Sequence, residues 1–185
     1  MLVLLAGGGG TAAVLLTHSK SAPTAKNPST SAAPSTSLAP APAATGVDYA
    51  DPDKYWSARF DGTPTYHTAQ QATPVGQVPY LYAEFVGPGI DQVVGVLVFS
   101  PGTGFDAQKG LQGIADSSGG TVVSSSAATF QGYPSLQGVI NLAGDYLKVQ
   151  LVHTGNLAYI MGTAGAVNPP SDFDRFIATV HLTPH

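Results

Sequence analysis

Between Ser19 and Gly46 the chain has one large apolar side chain, Leu38, in a run made almost entirely of alanine, proline, serine and threonine. A folded core needs buried apolar area to offset the entropy lost on ordering the chain, and this run has nothing to bury. Whatever folds must lie on one side of it or the other. Before it stand the uncharged, mostly apolar residues 2–17, and after it the 139 residues from 47 to 185. A domain of that size buries roughly 70% of its unfolded surface and needs no disulfide, which suits a chain without cysteine. The expected organisation is a transmembrane anchor or signal segment at 1–17, a disordered Pro/Ser/Thr/Ala linker at 18–46 and a single domain at 47–185.

As a helix, the apolar segment would span roughly 24 Å at ~1.5 Å per residue, short of the ~30 Å hydrocarbon core of a bilayer. A signal peptide, an anchor and a buried helix compete for it. The glycines at 7–10 disfavour a helix in water, and the linker isolates the segment from the domain. A cleaved signal would show a basic start and a small-x-small site, but Met1 is followed directly by apolar residues and Ser19-Lys20-Ser21 is a poor site. The expectation is an uncleaved single-pass anchor with the domain on the extracytoplasmic side and a basic leader ahead of Met1, secretion being the alternative. Proline-spaced chain extends by ~3.1 Å per residue, so the linker could hold the domain up to roughly 85 Å from its anchor. The same composition suits an O-glycosylated stalk.

Lys54, Arg59, Lys109, Lys148 and Arg175 are the strong cations of the domain, set against eleven acids, a net of −6. Nucleic acid and anionic lipid surfaces call for clustered cations that displace counterions. Five scattered ones exclude a nucleic-acid partner.

Within the domain, apolar residues alternate between Gly, Pro and Asp punctuation, the mark of half-buried strands. Leu147, Val149 and Leu151 point one way while Lys148 and Gln150 point the other. Similar runs predict strands at 78–85, 93–99, 121–130, 138–142 and 157–161, and Thr154-Gly155-Asn156 predicts a tight antiparallel hairpin. Two stretches change period. In 106–118, Asp106 is a candidate N-cap, Ala107, Leu111, Ile114 and Ala115 form one face, and Gly119-Gly120 supply the stop. In 170–180, Ser171 and Asp174 resemble a capping box ahead of the stripe Phe173, Phe176, Ile177 and Val180. The predicted fold is α+β, an antiparallel sheet covered by two helices with a short terminal strand at His181-Leu182.

That order of elements resembles the PsbP-like fold, an α/β/α sandwich. The resemblance rests on Phe60-Asp61-Gly62-Thr63-Pro64, two long strands ending at Phe99-Ser100-Pro101, a helix, Gly119-Gly120, and a strand running to Phe130-Gln131-Gly132-Tyr133-Pro134. It continues through the hairpin at Gly155-Asn156 into Leu157-Ala158-Tyr159 and the helix around Phe173 and Ile177. The chain is similar in particular to extracytoplasmic, often lipid-anchored members from actinobacteria, although it has no cysteine to accept a lipid. The resemblance implies a noncatalytic protein of the cell envelope that binds a partner or aids assembly at a membrane. It transfers no binding residue.

The side chains point the same way. His67, His153 and His181 lack short-range His or carboxylate companions, which leaves only His67 with His153 as a metal pair assembled from distant strands, against exposed strand residues. Glu84, the sole glutamate, is expected to face outward or to pair with Lys148 or Arg59. The aspartates are spread over turns and helix starts rather than paired as for glycoside cleavage. The serines at 117–118 and 124–126 lack a nucleophile elbow, and the glycines at 102, 104, 119 and 120 lack the spacing of a phosphate loop. What has recognition potential is the set Tyr49, Tyr55, Trp56, Tyr66, Tyr80, Tyr82, Tyr133 and Tyr146, with Tyr80 and Tyr82 as candidate walls of a groove. The expectation is therefore no catalytic, metal or cofactor residue, and a partner that is an envelope protein. The alternative is a carrier of a small apolar or lipid ligand, and an unrecognised hydrolase comes third.

Overall fold

A computed structural model describes residues 46–184. The apolar segment 1–17 and all of the linker except Gly46 lie outside the described residues. Among these residues no helix is long and apolar enough to cross a membrane.

Ten strands and two helices follow in the order β1 (Val47–Ala50), β2 (Trp56–Phe60), β3 (Thr65–Thr73), β4 (Gly76–Gly87), β5 (Ile90–Val98), α1 (Ala107–Ser117), β6 (Thr121–Phe130), β7 (Tyr133–Asn141), β8 (Tyr146–Thr154), β9 (Leu157–Gly165), α2 (Phe173–Ile177) and β10 (His181–Leu182). Seven strands make one antiparallel sheet in the order β3-β4-β5-β9-β8-β7-β6, and β1, β2 and β10 make a second. The large sheet is thus two meanders joined where β5 meets β9. The expected hairpin closes β8 onto β9, with Thr154 opposite Leu157 and Gly155 in the left-handed region at φ 59°.

The large sheet buries apolar side chains on both faces. α1 covers one face over β6, β7 and β8, and α2 lies with the small sheet on the other, against β9 and β2. α1 begins where expected, because Asp106 Oδ1 accepts the N–H groups of Gln108 and Lys109 at 3.0 and 3.1 Å. Its Leu111, fully buried, sits over Gly138 of β7. The side chain of Leu111 fills the place a Cβ would take.

α2 is shorter than the predicted 170–180, and its capping box does not form. Asp172 occupies the N-cap without a side-chain bond to the helix. Ion pairs draw both carboxylates away, Asp172 toward Arg175 at 3.3 Å and Asp174 to Lys148 at 3.0 Å. The apolar stripe holds, with Phe173, Phe176, Ile177 and Val180 all buried. Arg175 also clamps Asp61 with two bonds of 2.8 and 2.7 Å, and Asp61 exchanges bonds with the buried Gln92 of β5. Together these bonds fasten α2, the β2–β3 link and the central sheet to one another.

Candidate functional site

The residues singled out as groove walls lie on the face of β4 that α1 shares. Tyr82 is opposite His67 of β3 and Gly95 of β5. A Cβ at Gly95 would come within 2.5 Å of Tyr82 Cβ and 2.8 Å of a Tyr80 ring carbon, so glycine lets the rings lie low on the sheet. Tyr80 stacks on Tyr82 with centroids 4.7 Å apart, and His67 stacks on the Tyr82 ring at 4.8 Å. Both tyrosines are buried in the core, so they are not the open walls of a groove. Burial drives the Tyr80 hydroxyl far above its usual range, and that hydroxyl has no hydrogen-bond partner.

Glu84 follows on the same face and is 8% exposed, so the outward position expected for it is wrong. Strand alternation could not reveal this, since both faces of β4 are covered. Its partner is also different. His67 Nε2 stands 3.2 Å from Glu84 Oε1, a close contact without the alignment of a hydrogen bond that becomes an ion pair when the imidazole is protonated. Lys148 pairs with Asp174 and Arg59 with Asp48. Burial raises the Glu84 pKa, and His67 opposes that rise.

His67 and His153 do not meet. They lie on β3 and β8, four strand spacings apart, about 19 Å at ~4.8 Å each. His153 instead sits against the Phe105 ring at 5.8 Å. Among the described residues no three His, Asp or Glu side chains gather as a metal site. The serines at 124–126 lie exposed along β6, and Gly119, at φ 67°, ends α1 as a turn glycine.

A second polar cluster escaped the sequence. Asp51, in the turn between β1 and β2, is 2% exposed and accepts the Tyr55 N–H at 3.1 Å through Oδ2. The Tyr66 hydroxyl from β3 stands against the same carboxyl and is pushed up to about 12, first by burial and then by Asp51. Tyr159 of β9 is raised beyond the usual tyrosine range, chiefly by burial, with Tyr133, Tyr55 and Asp51 adding to it. Asp51 Oδ1, Trp56 Nε1 and the Tyr159 hydroxyl are buried without partners. Asp51 was hidden because one acid before Pro52 reads as a turn residue, and Tyr159 because its strand is apolar on both sides. The cluster joins the small sheet to the large one. It is a buttress with a titratable centre.

No family model and no curated protein matches the chain. Among solved structures it resembles the solution structure of cyanobacterial PsbP (CyanoP) from Synechocystis sp. PCC 6803, with a TM-score of 0.52 and 12% identity over 80% of this chain and 98% of that one. The fold is PsbP-like. At that identity the likeness concerns the arrangement of strands and helices, and the residues of the two clusters are this chain's own.

Proposed function

We propose that this chain is a noncatalytic binding or assembly module of the bacterial cell envelope, with its domain (47–185) held outside the membrane by the anchor 1–17 and the spacer 18–46. The observation that carries the reading is the use the domain makes of its acid and base side chains. Asp61 clamps Arg175, Asp174 holds Lys148, Asp106 caps α1, and His67 contacts Glu84 within a stack of rings. The Asp106 cap fixes the start of its own helix, the other three interactions join one element of the fold to another, and together they make a stiff body suited to presenting a surface. The likeness to PsbP supports the same reading, as does the sequence resemblance to extracytoplasmic actinobacterial proteins.

The test is crosslinking and affinity recovery in cells of the full chain beside a chain lacking residues 55–185. A protein captured only when the domain is present supports the module. Turnover of an envelope substrate by the purified chain would overturn it, as would partners captured equally well without the domain.

A further inference from the structure

β6 is the outermost strand of the large sheet beyond β7, and beyond its first residues it lacks the usual protection of an edge. Its ten residues, TVVSSSAATF, contain no charge and no proline. Folded proteins keep strand edges from pairing with other chains by placing lysine, proline, inward charges or bulges there. One bulge is present, between Val122 and Ser124, and from Ser124 to Phe130 the register against β7 is regular. Those seven residues offer roughly 23 Å of backbone at ~3.3 Å per residue. Ser125 and Ala127 are exposed on the α1 side, and Ser124 and Ser126 are exposed on the other. Of the other edges, β10 has only two residues and β1 carries Asp48, paired with Arg59; β3 also lacks lysine, proline and a bulge, but most of its side chains are partly buried, whereas those of β6 from Thr121 to Thr129 are mostly exposed.

We propose that β6 is a self-association edge, through which two copies of this chain pair their β6 strands antiparallel about a two-fold axis near Ser126. Three observations favour a second copy over a foreign extended peptide. Serine and alanine on both faces form no pockets, and pockets are what give a strand-adding peptide its specificity. The domain carries a net charge of −6, yet this edge sets no like charges opposite one another, and the neighbouring Gln108 of α1, bonded to Ser125, is neutral. About an axis at Ser126, Ser125 faces Ala127 and Ser124 faces Ala128, so each small side chain meets another small one. Pairing uses both bare edges at once, which closes the assembly at two copies and joins two seven-stranded sheets into one. The inference goes beyond the proposed function, since a module can bind its partner as a monomer.

The test uses the full chain in mild detergent, with mass measured by sedimentation over a range of concentrations. A dimer is expected, and S126K, which sets two lysines together at the axis, should weaken it about tenfold or more. T68K, at the exposed centre of β3, should leave it intact. Because the chain has no cysteine, S126C offers a second readout: it should form a disulfide-linked dimer on mild oxidation, and T68C should not. Near-UV circular dichroism checks that each variant folds. A monomer at all concentrations overturns the proposal and leaves the binding-module reading standing. A dimer that ignores S126K, or that crosslinks equally through T68C, overturns it in favour of another interface.

Discussion

Placing one methyl group at Gly138 tests how α1 is seated. A Cβ there would lie 2.5 and 2.6 Å from the two Leu111 methyls and 3.1 Å from Leu111 Cγ, where carbon contacts settle at ~3.5–4.0 Å. Leu111 is fully buried, so relief requires about 1 Å of movement by a side chain with nowhere to go. Overpacking of this kind costs about 1–3 kcal/mol, and replacing glycine by alanine in a strand returns ~0.5–1 kcal/mol. The net expectation for G138A is destabilisation by up to about 2.5 kcal/mol. L111A alone leaves a cavity and should cost about 2–5 kcal/mol. In the L111A background the colliding atoms are gone, so adding G138A should be neutral or stabilising, and the two changes should couple by ~1–3 kcal/mol. Urea unfolding followed through Trp56, the sole tryptophan and 1% exposed, measures all four corners of the cycle. Additivity within ~0.5 kcal/mol would refute the packing argument.

Two predictions concern pH. Burial holds the Asp51 carboxyl above its ordinary range, more strongly than the Tyr55 N–H and the Tyr66 hydroxyl draw it down. The unfolded chain therefore ionises first, and the stability tied to this group is complete below the unfolded pKa and lost as pH rises through the folded one. D51N keeps an acceptor for Tyr55 N–H but cannot ionise, so its melting temperature should fall less than the parent's between about pH 4 and pH 7. Identical slopes would show that Asp51 does not titrate with folding. Asp61 has the opposite sign: the Arg175 hydrogen bonds hold it low, so its contribution is present above the unfolded pKa and lost as pH falls through the folded one. R175M should destabilise by roughly 0.5–1 kcal/mol, a modest figure because half of the arginine is exposed to screening solvent. It should also flatten the acid limb of the melting curve, and an acid limb unchanged by R175M would refute the linkage.

Local signals made much of this architecture readable. Asp106 with the period of α1, the two-residue turn at Gly155-Asn156, and the bounds of β6 could all be seen within a dozen residues. β3 could not, because TYHTAQQAT has no apolar alternation, as suits an outer strand that gives little to the core. In β4 the trouble was the reverse. Tyr80, Tyr82 and Glu84 share one face while Leu81 and Ala83 share the other, and since both faces are covered no period marks which residue meets solvent. The polar contacts were the hardest to read. Arg175 finds Asp61 114 positions away, and Tyr66 and Tyr159 reach Asp51 only once two sheets have stacked.

The place of β9 governs how this chain can be made. Among the described residues it is the last long strand in chain order, yet it occupies the middle of the sheet, between β5 and β8. Until residue 165 has emerged, the first meander ends in a bare β5 and the second in a bare β8, both strongly apolar and both able to pair with the wrong strand. The joint between β5 and β9 bridges residues as far apart as Asp91 and Ala164, a pairing of the long-range kind that closes more slowly than a local hairpin. A chain cut before Leu157 would keep β3-β4-β5 and β6-β7-β8 as two half-sheets with no strand between them to join their flanks.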